Sequence, residues 1–214
     1  MQENTSFFQF RDLIIFIQFV FIIWILFKDK YFEWARLKKI KRSGDYGERL
    51  VREYLDDLEE VPFIYHGLLG KFEKQTYEID HLLLTHQGII LIETKNIRGT
   101  ISTKKDGAWC QIKKSESGKS YERVFKSPIQ QIERTSRVFQ SFLQSKGLKV
   151  KVVPIVVFSN RDVKLKMGNQ KLPVLQLFEV SSFIESVSRD IPLSTRQLRG
   201  LKDVIEKSFD LEKN

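Results

Sequence analysis

The 214-residue sequence predicts an α/β domain, a mixed central β-sheet flanked by helices, preceded by one N-terminal transmembrane helix. Three observations carry this. Residues 79–96 hold two short apolar runs rich in Ile and Leu, separated by a gap containing Gly88, the pattern of a β-hairpin. A helix-spaced segment opening at Pro128 precedes a continuous β-branched run, 150–158, the order of a β-α-β crossover. Residues 13–27 are almost wholly apolar, broken only by Gln18.

Composition sets the bounds. With 42% hydrophobic and 29% charged residues, the chain has the balance of a globular protein. A net charge of +9 favours a partner bearing phosphates, either nucleic acid or anionic lipid. The single Cys110 excludes an intrachain disulfide and a multi-cysteine zinc site. Beside Trp109 in an apparent strand, it reads as a buried free thiol. The three histidines, His66, His81 and His86, form no helical metal pair, which disfavours a His-based zinc enzyme.

In chain order, the first element is the apolar helix. About 15 residues at ~1.5 Å rise fall short of the ~30 Å bilayer core, whereas extension back to Phe7 gives about 21, at the cost of including Arg11 and Asp12. Those two lie near the end, where Arg reaches the interface. Trp24, Tyr31 and Trp34 suit an interfacial belt. The n-region lacks a basic cluster and no small-residue cleavage site follows, so a signal peptide is disfavoured. The alternative is a helix buried against a partner. Lys28, Lys30, Arg36, Lys38, Lys39, Lys41 and Arg42 crowd behind the span, which places this side in the cytoplasm and the N-terminus outside. The expectation is a single-pass cell-membrane protein, with residues 1–43 as anchor and basic juxtamembrane segment and 44–214 as the working domain. The basic cluster serves topology and anionic lipid, or alternatively nucleic-acid phosphates.

Ser43-Gly44-Asp45 predicts a helix start, followed by Leu50, Val51, Tyr54, Leu55 and Leu58 at helical spacing. Glu48 lies in its first turn, where a carboxylate also suits the helix dipole. Residues 63–69 read as a strand and 70–75 as a polar loop.

In the hairpin, a two-residue loop at His86-Gln87 sets Thr85 opposite Gly88 and Asp80 opposite Glu93. Alternation then puts Asp80, Glu93 and Lys95 on one face, with Glu78 beside them and His81 on the other as a packed or hydrogen-bonded histidine. The second strand is apolar on both sides, so it belongs mid-sheet, where charges need a partner or a role. Adjacent carboxylates repel unless a cation lies between them, and oxygen ligands suit Mg²⁺ or Mn²⁺. Otherwise, a Glu-x-Lys on a strand is a solvated face.

An Asp, a dozen residues, then Glu-x-Lys at a strand end resembles the PD-(D/E)xK nuclease superfamily. The fuller string Glu78-Ile79-Asp80-His81, then Gly88 to Asn96 with Glu93-Thr94-Lys95, then Gly99-Thr100-Ile101 and Trp109, resembles the NERD (nuclease-related) domain from about Gly44 to about Phe158. The resemblance implies a restriction-endonuclease-like fold and phosphodiester hydrolysis in DNA or RNA. It implies that Asp80, Glu93 and the Thr94 carbonyl hold Mg²⁺ (or Mn²⁺) and that Lys95 positions the attacking water. Gly47-Glu48 matches the family's helix start, placing the Glu48 carboxylate beside the metal. Pro128-Ile129-Gln130-Gln131 matches its Pro-x-x-Gln, making Gln131 a candidate; exposed helical glutamines are also common.

Beyond the hairpin, residues 96–103 predict loop then strand, and 108–113 a short strand with Trp109. Residues 113–126 read as a loop whose Lys113, Lys114, Lys119, Arg123 and Lys126 either guide a phosphate backbone or are simply solvated. Ser127 caps the helix opened by Pro128, which packs through Ile132, Val138, Phe139, Phe142 and Leu143. Residues 174–178 predict a short strand, Ser181 or Ser182 a helix cap, and Ser194-Thr195 the cap of a last helix with Leu198, Leu201, Val204 and Ile205 inward. Two rival classes remain: a non-catalytic, membrane-tethered module on a nuclease fold that binds nucleic acid or protein, and a structural membrane protein working through its basic stretch.

Overall fold

The computed structural model describes residues 3–104, 106–115, 118–187 and 192–209, without the side chains of 3–12, 14, 20 and 26. The chain divides into two compact units, Met1–Ser43 and Gly44–Asn214. Helix α1 runs Glu3–Asp56 without a break, so the helix start expected at Ser43-Gly44-Asp45 is corrected. Gly44 weakens a helix by only about 1 kcal/mol relative to Ala, too little to end a helix of this length.

Of the transmembrane helix expected over residues 7–27, the side chains of 7–12, 14, 20 and 26 lie outside those described. Among the described residues, no helix is long and apolar enough to cross a membrane. Leu13, Phe16, Phe19, Phe21, Trp24 and Phe27 are all exposed.

In the second unit, β1 (Phe63–Phe72), β2 (Gln75–Thr85), β3 (Gly88–Lys95), β7 (Val152–Phe158) and β9 (Val174–Gln176) form one sheet in the order β1-β2-β3-β7-β9. The first three strands are antiparallel neighbours, while β3, β7 and β9 run parallel. A second sheet, β6-β5-β4-β8, comprises β4 (Gly99–Thr103), β5 (Trp109–Lys114), β6 (Ser120–Phe125) and β8 (Val163–Lys166). Helix α2 (Pro128–Ser145) lies on the crossover from β3 to β7, as the order of patterns requires. Helices α3 (Val180–Ser186) and α4 (Thr195–Ser208) follow β9.

The architecture is α/β with mixed sheets, but the expected single central sheet is two. The chain turns at 96–98, and β4 then pairs with β5 and β8 instead of extending the first sheet. Residues 120–125, expected as loop, form β6. Ser120, Glu122 and Arg123 on an edge strand mask its propensity, and its pairing with β5 supplies the order. Residues 70–72 and 75 are strand rather than loop, because the β1–β2 hairpin turns tightly at Glu73 with φ +53°. Neither Ser181 nor Ser182 caps α3; a short 3₁₀ turn, Leu177–Glu179, leads into it with Glu179 at the boundary. Ser127 and Ser194 do cap α2 and α4, their side chains accepting from Gln130 and Gln197 N–H.

Both faces of β2–β3–β7 are covered. On one, Leu82, Leu84, Ile89, Leu91, Val156 and Phe158 pack with α2 and α4. On the other, Leu83, Ile90, Ile92, Ile155 and Val157 pack with Val51 and Leu55 of α1 and with α3. Burial on both sides explains the uninterrupted apolar run of β3. Gly88 sits at φ +137°, and a Cβ there would meet the Lys151 carbonyl at 2.5 Å, so the turn demands glycine.

Candidate active site

The hairpin register is Thr85 opposite Gly88 through His81 opposite Ile92. One step further sets Asp80 beside Glu93, at the point where β2 leaves β3. Asp80 Oδ2 accepts a 2.7 Å hydrogen bond from the Thr94 N–H, which fixes the carboxylate toward β3. Glu93 is 3% exposed, and its Oε1 accepts from Lys95 Nζ. The same ammonium donates to Gln131 Oε1 at 3.2 Å. Strand alternation brings Glu93 and Lys95 to the face covered by α2, and Ser127 and Pro128 set the phase that turns Gln131 toward them.

Glu48 joins from α1. Gly47 packs so closely that a Cβ would overlap Asn96 Cβ and stand 2.8 Å from Ser159 Oγ. This seats the helix against the ends of β3 and β7 and brings Glu48 within electrostatic reach of Asp80, Glu78 and Lys95.

The electrostatics express a surplus of buried negative charge. Burial, then the neighbouring Glu93 carboxylate, pushes the Asp80 pKa up to about 7. Burial raises Glu93 despite the opposing Lys95. Burial and then Asp80 raise Glu48. Three carboxylates, Glu48, Asp80 and Glu93, are each drawn to the Lys95 ammonium, and the Glu78 carboxylate adds further repulsion to all three. Such a site is short of positive charge.

His81 lies on the opposite face, 1% exposed. Its Nδ1 is 2.7 Å from His66 Nδ1, and His66 Nε2 is 2.9 Å from Asp56 Oδ1. With both rings neutral and Asp56 accepting from His66 Nε2–H, His66 Nδ1 accepts from His81 Nδ1–H. Burial, then His66, lowers the His81 pKa to about 3. The expected structural role for His81 agrees with this packing. Cys110 is a buried free thiol.

All five side chains singled out from the sequence, Glu48, Asp80, Glu93, Lys95 and Gln131, therefore converge. Thr94 is present through its N–H, while its Oγ1 is buried without a partner. Sequence reasoning missed Asn96, whose Oδ1 accepts from Asn160 Nδ2 at 3.0 Å and ties the ends of β3 and β7 together. It also missed the close seat of Gly47. Glycine within a helical pattern was the available signal for the latter.

A model of the nuclease-related domain matches residues 43–159, slightly more than half of the chain. The chain belongs to the NERD family. The NERD domain is a branch of the PD-(D/E)xK superfamily, and the matched segment contains every residue of the site just described. An uncharacterized protein of Bacillus anthracis is 32% identical over 74 residues, 33% of this chain and 35% of that one. The chain thus spans about a third of the length of the curated relative it matches. No solved structure matches.

PD-(D/E)xK nucleases typically use divalent metals. Among the described residues, no group of three or more His, Cys, Asp or Glu is arranged to hold a metal ion. The donor chemistry nonetheless fits a hard cation: two adjacent carboxylates, both with pKa raised by burial, and backbone and water oxygens to complete the shell.

Proposed function

We propose that this NERD protein is a membrane-anchored, Mg²⁺- or Mn²⁺-dependent nuclease that hydrolyses phosphodiester bonds in DNA or RNA. The observation that carries the reading is the meeting of Asp80, held by the Thr94 N–H, with Glu93, which is bonded to the Lys95 ammonium. Asp80, Glu93 and the Thr94 carbonyl would hold the metal, which when bound supplies Lewis acidity and a water of lowered pKa.

The chain's own residues supply the rest. The Thr94 N–H holds Asp80 in one orientation. Lys95, freed from neutralising Glu93, would orient the attacking water and balance charge on the phosphate. Gln131 fixes the ammonium at its second hydrogen bond, and its amide N–H₂ is left to donate to a phosphate oxygen. Glu48, with its pKa raised by burial and by Asp80, would take a proton from that water.

Membrane attachment rests on residues 7–27. Its described large apolar side chains, among them Phe16, Phe19, Phe21, Trp24 and Phe27, are exposed. Trp24 and Trp34 each lie under a lysine, Lys28 and Lys38, as suits a headgroup boundary. The nuclease domain would then face the cytoplasm.

The test is cleavage of several nucleic acids by the purified chain with Mg²⁺ or Mn²⁺, beside Asp80→Ala. Metal-dependent cleavage lost in the variant supports the reading. Equal cleavage by the variant defeats it. Metal-independent binding without cleavage would favour the non-catalytic module.

A further inference from the structure

Strand β2 pairs with β3 only from His81 to Thr85, yet with β1 all the way to Gln75. Residues 68–72 and 75–79 therefore project past β3 as a two-stranded arm beginning at Asp80. Helix α2 lies along this arm. Its Gln131 touches Lys95 in the site, its Thr135 hydroxyl donates to the Glu78 carbonyl at 3.5 Å, and its Phe142 packs edge-on to Phe72 at the arm's tip. Moving down α2 is thus moving away from the site along the arm.

On that path lies an open cleft of about 410 Å³ between the helix and the arm's end. Arg134 and Arg137 line it from α2, with Ser141 one turn on, and Glu73 and Gln75 line it from the hairpin. Both arginines are exposed, and neither has an ion-pair partner among the described residues. Arg134 stands one helical turn from Gln131 and Arg137 one turn further, on adjoining parts of one helix face.

Six residues at ~1.5 Å per residue put Arg137 about 9 Å beyond Gln131. Each guanidinium along this line can take one of the phosphates that follow the scissile phosphate at Gln131. Planar guanidinium groups suit phosphate through paired N–H donors.

We propose that Arg134 and Arg137 form a phosphate track that holds the nucleic-acid strand leaving the Asp80–Glu93 site along α2. The inference rests on the nuclease reading and extends it to how the substrate is laid across the site. Glu73, facing the same cleft, limits the affinity.

The experiment uses the full chain in EDTA with fluorescein-labelled single-stranded oligothymidylate, titrated at several salt concentrations. Relative to wild type, Arg134→Gln/Arg137→Gln should weaken binding roughly tenfold and flatten the slope of log K against log salt by about 1.4, or about 0.7 per lost phosphate contact. Glu73→Gln should tighten binding. Lys164→Gln/Lys166→Gln removes the same charge from β8 in the second sheet and should leave the slope at its wild-type value. Circular dichroism checks that each variant is folded. An unchanged slope in the arginine variant, or an equal change in the β8 control, overturns the track.

Cleavage with Mg²⁺ is measured on the same wild-type preparation. Binding that depends on the arginines without cleavage supports the track and refutes hydrolysis. Cleavage with binding indifferent to the arginines refutes the track and leaves hydrolysis standing.

Discussion

Replacing Asp80 by Asn should stabilise the metal-free protein at neutral and alkaline pH. The folded protein raises the Asp80 pKa from 3.8 to about 7, through burial first and Glu93 second. A raised carboxyl pKa means that the fold favours the protonated form. Its contribution to stability is complete below about pH 4 and is lost as pH rises through about 7. A shift of about three units corresponds to about 4 kcal/mol at full ionisation. Solvent at the open edge of the site and movement of Lys95 toward Asp80 reduce this, so a gain of about 2 kcal/mol or more is expected above pH 7. Asparagine keeps an oxygen for the Thr94 N–H and presents an amide to Glu93, so no buried group is orphaned. For a domain of this size, about 2 kcal/mol raises Tm by about 4–8 °C. The assay is thermal unfolding by near-ultraviolet circular dichroism in EDTA at pH 4, 6 and 8. The variant should match wild type at the lowest pH and exceed it progressively above. Mg²⁺ at pH 8 should close the gap by stabilising wild type alone. A variant no more stable than wild type at pH 8, or one with the same advantage at pH 4, would refute the buried-charge argument.

Other consequences are smaller in scope. Gly47→Ala should cost about 1–3 kcal/mol, because its Cβ overlaps Asn96 and Ser159, and should also lower activity by moving Glu48; thermal unfolding and cleavage rates read the two effects. Lys95→Met removes the cation bonded to Glu93 and should reduce cleavage by about 10²-fold or more, with oligonucleotide affinity changed far less. Gln131→Ala, which loses one hydrogen bond to that ammonium, should produce a milder loss in the same assay. The full chain should stay with membranes through alkaline carbonate extraction, whereas a chain lacking residues 1–43 should be released.

Much of this protein was legible in the order of its residues. The hairpin register followed from two residues between apolar runs, because side-chain alternation leaves no freedom once the turn is set. That register alone predicted the meeting of Asp80, Glu93 and Lys95. Gln131 was reached through the resemblance, on Pro128-Ile129-Gln130-Gln131, and it lies exposed on α2 with its Oε1 accepting from Lys95. The caps at Ser127 and Ser194 are local chemistry and were equally readable.

Tertiary structure decided what depends on distant partners. The division into two sheets followed from β4 choosing β5 and β8, a pairing between segments that no local periodicity encodes. β6 is ordered by its neighbour rather than by its own composition. The continuity of α1 through Ser43 and Gly44 reflects a competition in which a local breaking signal was too weak to interrupt a long helix. The pKa of Asp80 and the cleft beside Arg134 and Arg137 likewise exist only once strand and helix are packed. Burial and charge proximity are properties of positions in space, and the linear order specifies them only where alternation or helical phase carries a residue directly to its place.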